Sequence, residues 1–321
     1  RWGAPETAEF RTGILLFQNC RDVAIRDVNM VNSDAWTVHL KQCEKVRIHG
    51  ITIKNNYRRL NSDGIDPNSC KDVEISSCTI ICGDDSIVLK STEAVPCRNV
   101  TVRDCVLESA TAALKLGTES KGDFQDVLFE NCTIRNSPIG VGLYLKDGAT
   151  MERITARNMK MEICDNSHHD VAPLFIDIEK RNPDSKVGRV RDVIFQDIEI
   201  KTGTGCLIQG MPESLIENLA LKNITLRVEK PDDYSKRKKP VGGRRTTKDE
   251  RDTLYARMPS YCAIANVKGL TVEGLRVQVS EDAFRQFERS ALVLRNVENV
   301  EMKDVTRLPG MGAGKIPVVD R

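Results

Sequence analysis

Three carboxylates lie close together in one short stretch of the sequence. Asp63 stands in NSDGIDPNSC (61–70), and Asp84 and Asp85 stand in GDDSIVLK (83–90). Carboxylates placed in this way bind a cation, occupy solvated turns or share proton-transfer work. Mutual repulsion should raise the pKa of at least one of them, which can then stay protonated as a general acid while an ionised partner acts as a general base. Cleavage of a glycosidic bond requires this pair of roles.

The elements that would bring these acids together form an internal repeat. Ten segments align on one apolar anchor residue, and the four successive intervals from Val46 to Ile154 are equal in length. Each segment, such as VAIRDVNM or VEISSCTI, has two alternating runs separated by a two-residue polar break, which predicts two short β-strands joined by a bend. One unit cannot bury its own apolar face, so stacked units must share a core. The anchors are Val23, Val46, Val73, Val100, Val127, Ile154, Val193, Leu219, Leu270 and Val300. The pattern predicts an all-β chain, a single-domain right-handed parallel β-helix over residues 1–321.

A solenoid of this kind would make the acids neighbours. The separation of Asp63 and Asp85 is nearly the same as that of the anchors Val23 and Val46, so one coil can separate the two acids. Adjacent strand residues point to opposite faces, so Asp84 and Asp85 can share a cleft only if the chain bends, and Gly83 is suited to such a bend. Turn formation alone would explain either short motif, but the one-coil spacing favours a shared site.

The cysteines follow the same register. Four of them stand three residues before an anchor and three stand five residues after one: Cys20, Cys43, Cys70 and Cys97, then Cys78, Cys105 and Cys132. Small thiols stacked inside a solenoid explain these two ladders better than disulfides or catalysis do. A zinc site is not expected, because no CxxC pair occurs and His168 and His169 are adjacent rather than four residues apart.

Composition excludes some classes of function. The net charge of +2, from 48 basic and 46 acidic residues, argues against a nucleic-acid binder driven by bulk charge. No apolar run is long enough to span a bilayer, so membrane insertion is not expected, and the first residues lack the features of a signal peptide. A chain that starts with Arg1 is expected to have lost its native N-terminal beginning. The longest expansion of the repeat, residues 228–258, is polar and locally basic, which indicates a loop insertion that is either simply solvated or a wall that attracts an anionic polysaccharide.

The two acidic motifs resemble those of glycoside hydrolase family 28, the polygalacturonase-like pectinases, whose motifs read approximately NTD, a DD pair after Gly or Gln, GHG and RIK. Here NSD (61–63) and GDD (83–85) match the first two. The resemblance implies an inverting glycosidase on a right-handed parallel β-helix. Its substrate would be a pectin-like or other uronate-containing poly- or oligosaccharide, it would need no metal or organic cofactor, and it would be secreted or periplasmic. The resemblance also implies that Asp84 is the general acid and that Asp63 and Asp85 hold the attacking water.

The other two family motifs depart from the pattern. Ala112 stands where the GHG histidine is expected, and Tyr144 replaces the RIK arginine, while Lys146 is kept. We therefore expect another sugar or a different set of helper groups. Lys90, Lys115 and Tyr144 are expected to form one column beside the acids, either holding a uronate carboxylate or forming a solvated ladder of charges. The candidates for sugar contacts are Asn61, Arg58, Lys90, Lys115, Tyr144, Lys146 and His168, the last as a substitute for the missing histidine.

Two alternative functions are compatible with the sequence. A β-helical polysaccharide lyase also acts on uronates, with a Lys or Arg base and commonly Ca²⁺ held by clustered acids. A non-catalytic carbohydrate-binding solenoid descended from a hydrolase would explain Ala112 and Tyr144. The intact group of three aspartates favours an enzyme over a binding protein.

Overall fold

The computed structural model describes residues 11–164, 171–228, 260–279, 289–305 and 319–320. Its strands stack as the coils of a right-handed parallel β-helix, which confirms the predicted fold class, and pairing between the strands of successive coils is parallel. No helix in this part of the chain is long and apolar enough to cross a membrane. The predicted insertion at residues 228–258 lies, apart from Val228, outside the described residues.

In the early coils the two runs of a segment form separate short strands, as predicted. The strands of the first half are β1 (Leu15–Gln18), β2 (Arg21–Arg26), β3 (Asn29–Val31), β4 (Val38–Lys41), β5 (Glu44–His49), β6 (Thr52–Lys54), β7 (Ile65–Asn68), β8 (Lys71–Ser76), β9 (Thr79–Cys82), β10 (Ile87–Ser91), β11 (Cys97–Arg103), β12 (Val106–Ser109), β13 (Ala112–Ser120), β14 (Phe124–Glu130), β15 (Thr133–Ser137) and β16 (Ile139–Leu145). The remaining strands are β17 (Thr150–Ile163), β18 (Ala172–Ile178), β19 (Arg189–Lys201), β20 (Cys206–Gln209), β21 (Ile216–Val228), β22 (Cys262–Glu273), β23 (Arg276–Val279), β24 (Val293–Lys303) and β25 (Val319–Asp320). In several later coils the two runs form one long strand, as in β17, β19 and β21.

All ten predicted anchors lie opposite one another from coil to coil. The pairing runs from Val23 through Val46 at the N-terminal end to Leu270 and Val300 at the C-terminal end, without a break. Anchors in the middle of the stack are buried, whereas Val300 is 38% exposed. The nine anchors from Val23 to Leu270 therefore each fill one layer of a continuous aliphatic core, as the repeat predicts, and Val300 lies at its exposed end.

The polar break between the two runs of a coil is a bend with left-handed backbone. The φ angles are 52° at Asp27, 54° at Ser77, 57° at Asp104 and 56° at Asn131. Asp and Asn tolerate this conformation better than most residues because their short side chains can hydrogen-bond locally. The bends also bond to one another, since the Asn131 amide donates to Asp104 Oδ1 at 3.3 Å. The break that looked like a simple polar interruption is thus the corner of the coil.

The cysteine ladders lie in the predicted register. Val106 pairs with Thr79 and with Thr133, which stacks the three cysteines that precede these residues. In the other ladder, the Cys43 backbone N–H donates to Cys70 Sγ at 3.4 Å. The thiols thus occupy layers of the solenoid.

We expect a thiol reagent to separate the cysteines by burial. Cys20 and Cys164 are half-buried and the other nine are buried, and burial raises the pKa of the Cys97 thiol to about 12. A short pulse of iodoacetamide should modify Cys20 and Cys164 in the native protein and the other nine only after unfolding in urea, as measured by peptide mass spectrometry. Native modification of Cys105 as fast as that of Cys20 would contradict the register.

Candidate active site

Asp63 and Asp85 lie side by side on adjacent coils. Each stands two residues before a strand, and the first residues of these strands, Ile65 and Ile87, pair with each other. The Gly64 N–H donates to the Asp85 carbonyl oxygen at 2.9 Å. The separation of the two acids along the chain is therefore one coil, as predicted.

A bend at Gly83 and Asp84 lets two consecutive carboxylates lie near that of Asp63. A side chain at Gly83 would collide with the carbonyl oxygens of Arg59 and Asn56, so the close approach of this loop requires glycine. Asp85 is buried and Asp84 is half-buried. One carboxylate oxygen from each of the three acids lies within 4.8 Å of the others.

Asp85 is held as an ionised carboxylate. The Lys115 ammonium donates to its Oδ2 at 2.7 Å, the Thr111 hydroxyl donates to its Oδ1 at 2.6 Å, and the Ala112 N–H reaches the same Oδ1 at 3.2 Å. Burial alone would raise the pKa of Asp85, but the charges of Lys115 and Lys90 and these hydrogen bonds outweigh burial and bring the pKa below its ordinary value.

Asp84 is shifted in the opposite direction. Burial and the charge of Asp85 raise its pKa, and Lys115 and the Asn61 N–H, which donates to Asp84 Oδ2 at 2.9 Å, only partly offset them. The Thr111 hydroxyl also lies 3.1 Å from Asp84 Oδ1. Since that hydroxyl donates its hydrogen to Asp85, its oxygen can accept a hydrogen bond from the protonated Asp84 carboxyl. Neighbouring carboxyls with opposite pKa shifts are suited to separate acid and base roles.

Asp63 belongs to a buried charge cluster around Lys90. The Lys90 ammonium lies 3.8 Å from Asp63 Oδ2, 3.8 Å from Asp66 Oδ1 and 3.4 Å from Glu119 Oε2. Burial raises the pKa of Asp63 and of Asp66 well above the ordinary value despite this ammonium. Neither Asp66 oxygen accepts a hydrogen bond within the described part of the chain. The cluster therefore depends on Lys90 for its positive charge.

An aromatic residue closes the N-terminal side of this cluster. Pairing of Val38 with Ile65 places Trp36 opposite Asp63 on the preceding coil. The Lys90 ammonium lies 4.6 Å from the centroid of the Trp36 ring, within the range of a cation–π contact. His39 meets the same ring edge-on at 4.7 Å. Lys90 is thus held between carboxylates and an indole.

The predicted single column of Lys90, Lys115 and Tyr144 is wrong. Lys115 pairs with Val88, which precedes Lys90 by two residues, so the two lysines occupy neighbouring columns. Tyr144 likewise follows Gly142, the other partner of Lys115, by two residues. Lys90 follows Asp85 by five positions, whereas Lys115 follows Ala112 by three. The difference of two residues equals one period of side-chain alternation along a strand, so the two lysines point to the same face but lie in different columns.

The other predicted sugar contacts have different surroundings. The Asn61 side chain accepts a hydrogen bond from Arg11 at 2.7 Å, so Asn61 serves Asp84 through its backbone N–H. Arg58 is exposed on the loop before the first acidic motif. Lys146 is buried and forms an ion pair with Glu179. His168 lies outside the described residues.

Three residues of the site had not been singled out from the sequence. Thr111 precedes the position of the missing histidine, Asp66 follows Asp63 by three residues, and Trp36 precedes Asp63 by one repeat interval. That interval could have identified Trp36, and strand alternation past Ile65 could have identified Asp66 as outward-facing. Thr111 carried no such signal, because its role depends on where the hydroxyl meets two carboxylates.

The three clustered aspartates have a spacing that could also hold a cation. Their oxygens lie within 4.8 Å of one another, and hard cations such as Ca²⁺ take carboxylate oxygens as ligands. Two ammonium groups lie beside the same carboxylates, since Lys115 contacts Asp85 at 2.7 Å and Lys90 lies 3.8 Å from Asp63. They offset part of the negative charge that would attract a cation.

Comparison with known proteins places this arrangement in a family. The family model described as glycosyl hydrolases family 28 matches residues 8–239. The chain belongs to this family. A probable polygalacturonase of Vitis vinifera is 27% identical to this family 28 member over 232 residues, which cover 64% of the chain and 44% of the relative. A polygalacturonase of Juniperus ashei is 25% identical over 223 residues, 65% of the chain and 42% of the relative.

Solved structures of exopolygalacturonases show the same fold. A hyperthermoactive exopolygalacturonase from Thermotoga maritima superposes with a TM-score of 0.62 at 26% identity, covering 70% of the chain and 52% of that protein. A family 28 exopolygalacturonase from Yersinia enterocolitica superposes with a TM-score of 0.60 at 13% identity, covering 91% of the chain and 48% of that protein. The chain spans about half the length of these relatives.

This family 28 member fills the two departing motif positions with neutral side chains. Ala112 contributes its backbone N–H to Asp85 and is buried in a small apolar cluster with Ile139 and Phe175. The Tyr144 ring packs against the same cluster. The side chains that donate hydrogen bonds to Asp85 are instead Thr111 and Lys115, which stand one residue before and three residues after the position expected for the histidine.

Proposed function

We propose that this protein hydrolyses glycosidic bonds in a pectin-like, uronate-containing poly- or oligosaccharide. The observation that carries the proposal is the convergence of three carboxylates, one oxygen of each lying within 4.8 Å of the others, with Asp84 half-buried and Asp63 and Asp85 buried. The family membership and the names of the relatives support the substrate class. A secreted or periplasmic location belongs to the same proposal, because a polymeric glycan is encountered outside the cytoplasm.

The roles follow from the surroundings of each carboxyl. Asp84, whose pKa is raised by burial and by Asp85, donates its proton to the leaving-group oxygen. Asp85, kept ionised by Lys115 and Thr111, accepts a proton from the attacking water. Asp63 positions that water, since two hydrogen bonds of about 2.8 Å that meet at one oxygen span roughly 4.6 Å. The oxygen spacing of the acids allows such a bridge.

Inversion of the anomeric centre is the outcome that we propose from family membership. The acid and base of inverting glycosidases usually stand about 6.5–9.5 Å apart, whereas here one oxygen of each carboxylate lies within 4.8 Å of the others. A water held beside Asp85 and Asp63 would approach the sugar from the face opposite to the Asp84 proton. The anomeric configuration of the first product, read by proton NMR, tests this part of the proposal separately.

Two positively charged side chains support an anionic substrate. Lys115, which is partly exposed and contacts Asp85, and Arg58, which is exposed on the loop before the first acidic motif, can attract a uronate carboxylate. Lys115 is committed to Asp85, so we expect it to attract a substrate charge without forming the paired hydrogen bonds that an arginine would offer.

The experiment is reducing-end release from a panel of glycans, with chromatography of the products. The panel contains polygalacturonate, methyl-esterified pectin, a rhamnose-containing pectic backbone and a neutral β-glucan. Release from at least one uronate-containing glycan and none from the β-glucan supports the proposal. Products that absorb in the ultraviolet as unsaturated uronates, and that form only with Ca²⁺, would instead establish a lyase. Retained binding without release from any glycan would establish a carbohydrate-binding protein.

A further inference from the structure

The Tyr144 ring occupies a space that the neighbouring strand leaves empty. Gly142 pairs with Lys115 on the coil before it and with Phe175 on the coil after it. A Cβ at Gly142 would lie 2.8 Å from Tyr144 Cε2. The ring therefore folds back over Gly142, into the column that joins Lys115 to Phe175, and glycine is what makes room for it.

Both neighbours in this column contact the ring. The Lys115 ammonium lies 5.0 Å from the centroid of the Tyr144 ring, a cation–π distance. The Phe175 ring packs against Tyr144 with centroids 4.6 Å apart and planes tilted by 30°, and Phe175 itself is fully buried. Aromatic pairs of this kind favour a fixed relative position. Phe175 on the following coil thus holds the Tyr144 ring in place, and the ring faces the Lys115 ammonium on the preceding coil.

We propose that Tyr144 is a positioning residue that holds the Lys115 ammonium against Asp85, and that Gly142 and Phe175 hold the Tyr144 ring in place. The inference rests on the proposed function, in which Asp85 is the general base. It also explains why a neutral aromatic residue stands at the position of the family arginine, since an arginine there would add a further cation instead of fixing the Lys115 ammonium.

The position of the Lys115 ammonium matters because it affects whether Asp85 is ionised. Titratable groups surround Asp85 from three coils. Its own segment contributes Asp84, Lys90 and the Cys82 thiol, and the preceding coil contributes Asp63 and Asp66. The following coil contributes Lys115, and Glu119, which contacts Lys90. Burial disfavours the ionised form of Asp85, and Lys115 is the cation in direct contact with it at 2.7 Å. Lysine has a flexible stem and is partly exposed here. Without the ring, its head can turn to water.

The test measures the pKa of the Asp85 carboxyl directly. Protein labelled with ¹³C at Asp Cγ is titrated by NMR, and Asp85→Asn assigns the resonance. In Tyr144→Leu and in Gly142→Ala, which displaces the ring without changing it, we expect the pKa of Asp85 to rise by about one unit, against about 1–3 units in Lys115→Met. Tyr144→Phe, which keeps the ring and loses only the hydroxyl, should leave this pKa at its wild-type value.

A double variant separates positioning from a general structural effect. In a Lys115→Met background, Tyr144→Leu should shift the pKa of Asp85 no further, because the ring acts through the ammonium. An equal shift with and without Lys115, or an unchanged pKa in a folded Tyr144→Leu protein, would overturn the inference. Should Gly142→Ala fail to fold, the Tyr144 variants carry the test alone. The titration needs no substrate, so its failure is distinct from a failure to cleave any glycan.

Discussion

Asp84→Asn is expected to lower the rate of glycan cleavage by roughly 10²–10⁴-fold, the usual contribution of a positioned general acid. The amide keeps the shape of the carboxyl and can still accept the Asn61 N–H, which lies 2.9 Å from Oδ2, so the fold should be unchanged. The measurement is the kcat for reducing-end release on the best glycan of the panel, together with the thermal unfolding midpoint.

Asp104→Asn is the matched control for this variant. Asp104 stands at a bend with φ of 57°, and its partner on the next coil is already Asn131. The same chemical change there should leave kcat within about twofold of wild type, as surface substitutions usually do. Wild-type turnover in Asp84→Asn would contradict the assignment of the acid, and equal losses in both variants would indicate a structural effect.

The pH dependence of cleavage should reflect the roles of Asp84 as general acid and Asp85 as general base. Asp84 must be protonated, and its folded pKa is raised, so activity should fall as the pH rises through a value above the ordinary 3.8. Asp85 must be ionised, and its folded pKa is lowered, so activity should fall on the acid side only below 3.8. A profile whose acid limb lay near neutral pH would contradict the role of Asp85.

Lys90→Met should lower the free energy of unfolding by about 3–5 kcal/mol near neutral pH, the usual cost of removing one partner from a buried ion pair. The change leaves Asp63 and Asp66 buried without the ammonium that lies 3.8 Å from each. Methionine keeps most of the volume and loses the ammonium with its cation–π contact to Trp36, so the loss should be mainly electrostatic. Urea unfolding at pH 4 and pH 8 is the measurement.

The sign of the pH effect follows from the two raised pKa values. The folded pKa of Asp63 and of Asp66 lies above 3.8, so both groups make the fold less stable as the pH rises through the ordinary value toward the raised one. Loss of Lys90 raises both values further, and the stability deficit should therefore be small below pH 3.8 and largest at pH 8. The ammonium itself, whose folded pKa is raised, contributes throughout this range.

Two further variants make this prediction specific. Lys41→Met removes a partly exposed ion pair with Glu93, which should cost about 1 kcal/mol or less. Asp66→Asn added to Lys90→Met should restore part of the lost stability, because one buried charge is removed with its partner. A loss that does not depend on pH, or no recovery in the double variant, would contradict the electrostatic account.

The sequence predicted the fold and the meeting of the acids because both depend on periodicity. The anchors from Val23 to Val300 pair as aligned, and the one-coil spacing brings Asp63 to Asp85. The repeat did not determine the details of the site. An offset of two residues placed Lys90 and Lys115 in two neighbouring columns instead of one. The contacts of the Thr111 hydroxyl with two carboxylates depend on the three-dimensional structure and have no signal in the sequence.

The pKa prediction from the sequence was right in direction but incomplete in cause. Repulsion was expected to raise at least one value, and Asp84 and Asp63 are raised, with burial as the largest cause. Burial of polar groups outside the core could not be read from alternation alone, because alternation gives the face of a strand and not what surrounds that face. The direction for Asp85 depends on Lys115, whose contact is a tertiary one.

The acids, their helpers and the brace for those helpers belong to successive coils. Asp63 precedes β7, Asp84 and Asp85 precede β10, Thr111 and Lys115 lie at β13, and Tyr144 lies on β16. Since each coil contacts chiefly its two neighbours, one turn of the solenoid can change its side chains while the next keeps its own. The residues of such a site can therefore change during evolution one coil at a time. The turns that hold the acids keep the family motifs here, and the two turns that follow hold both departures from them.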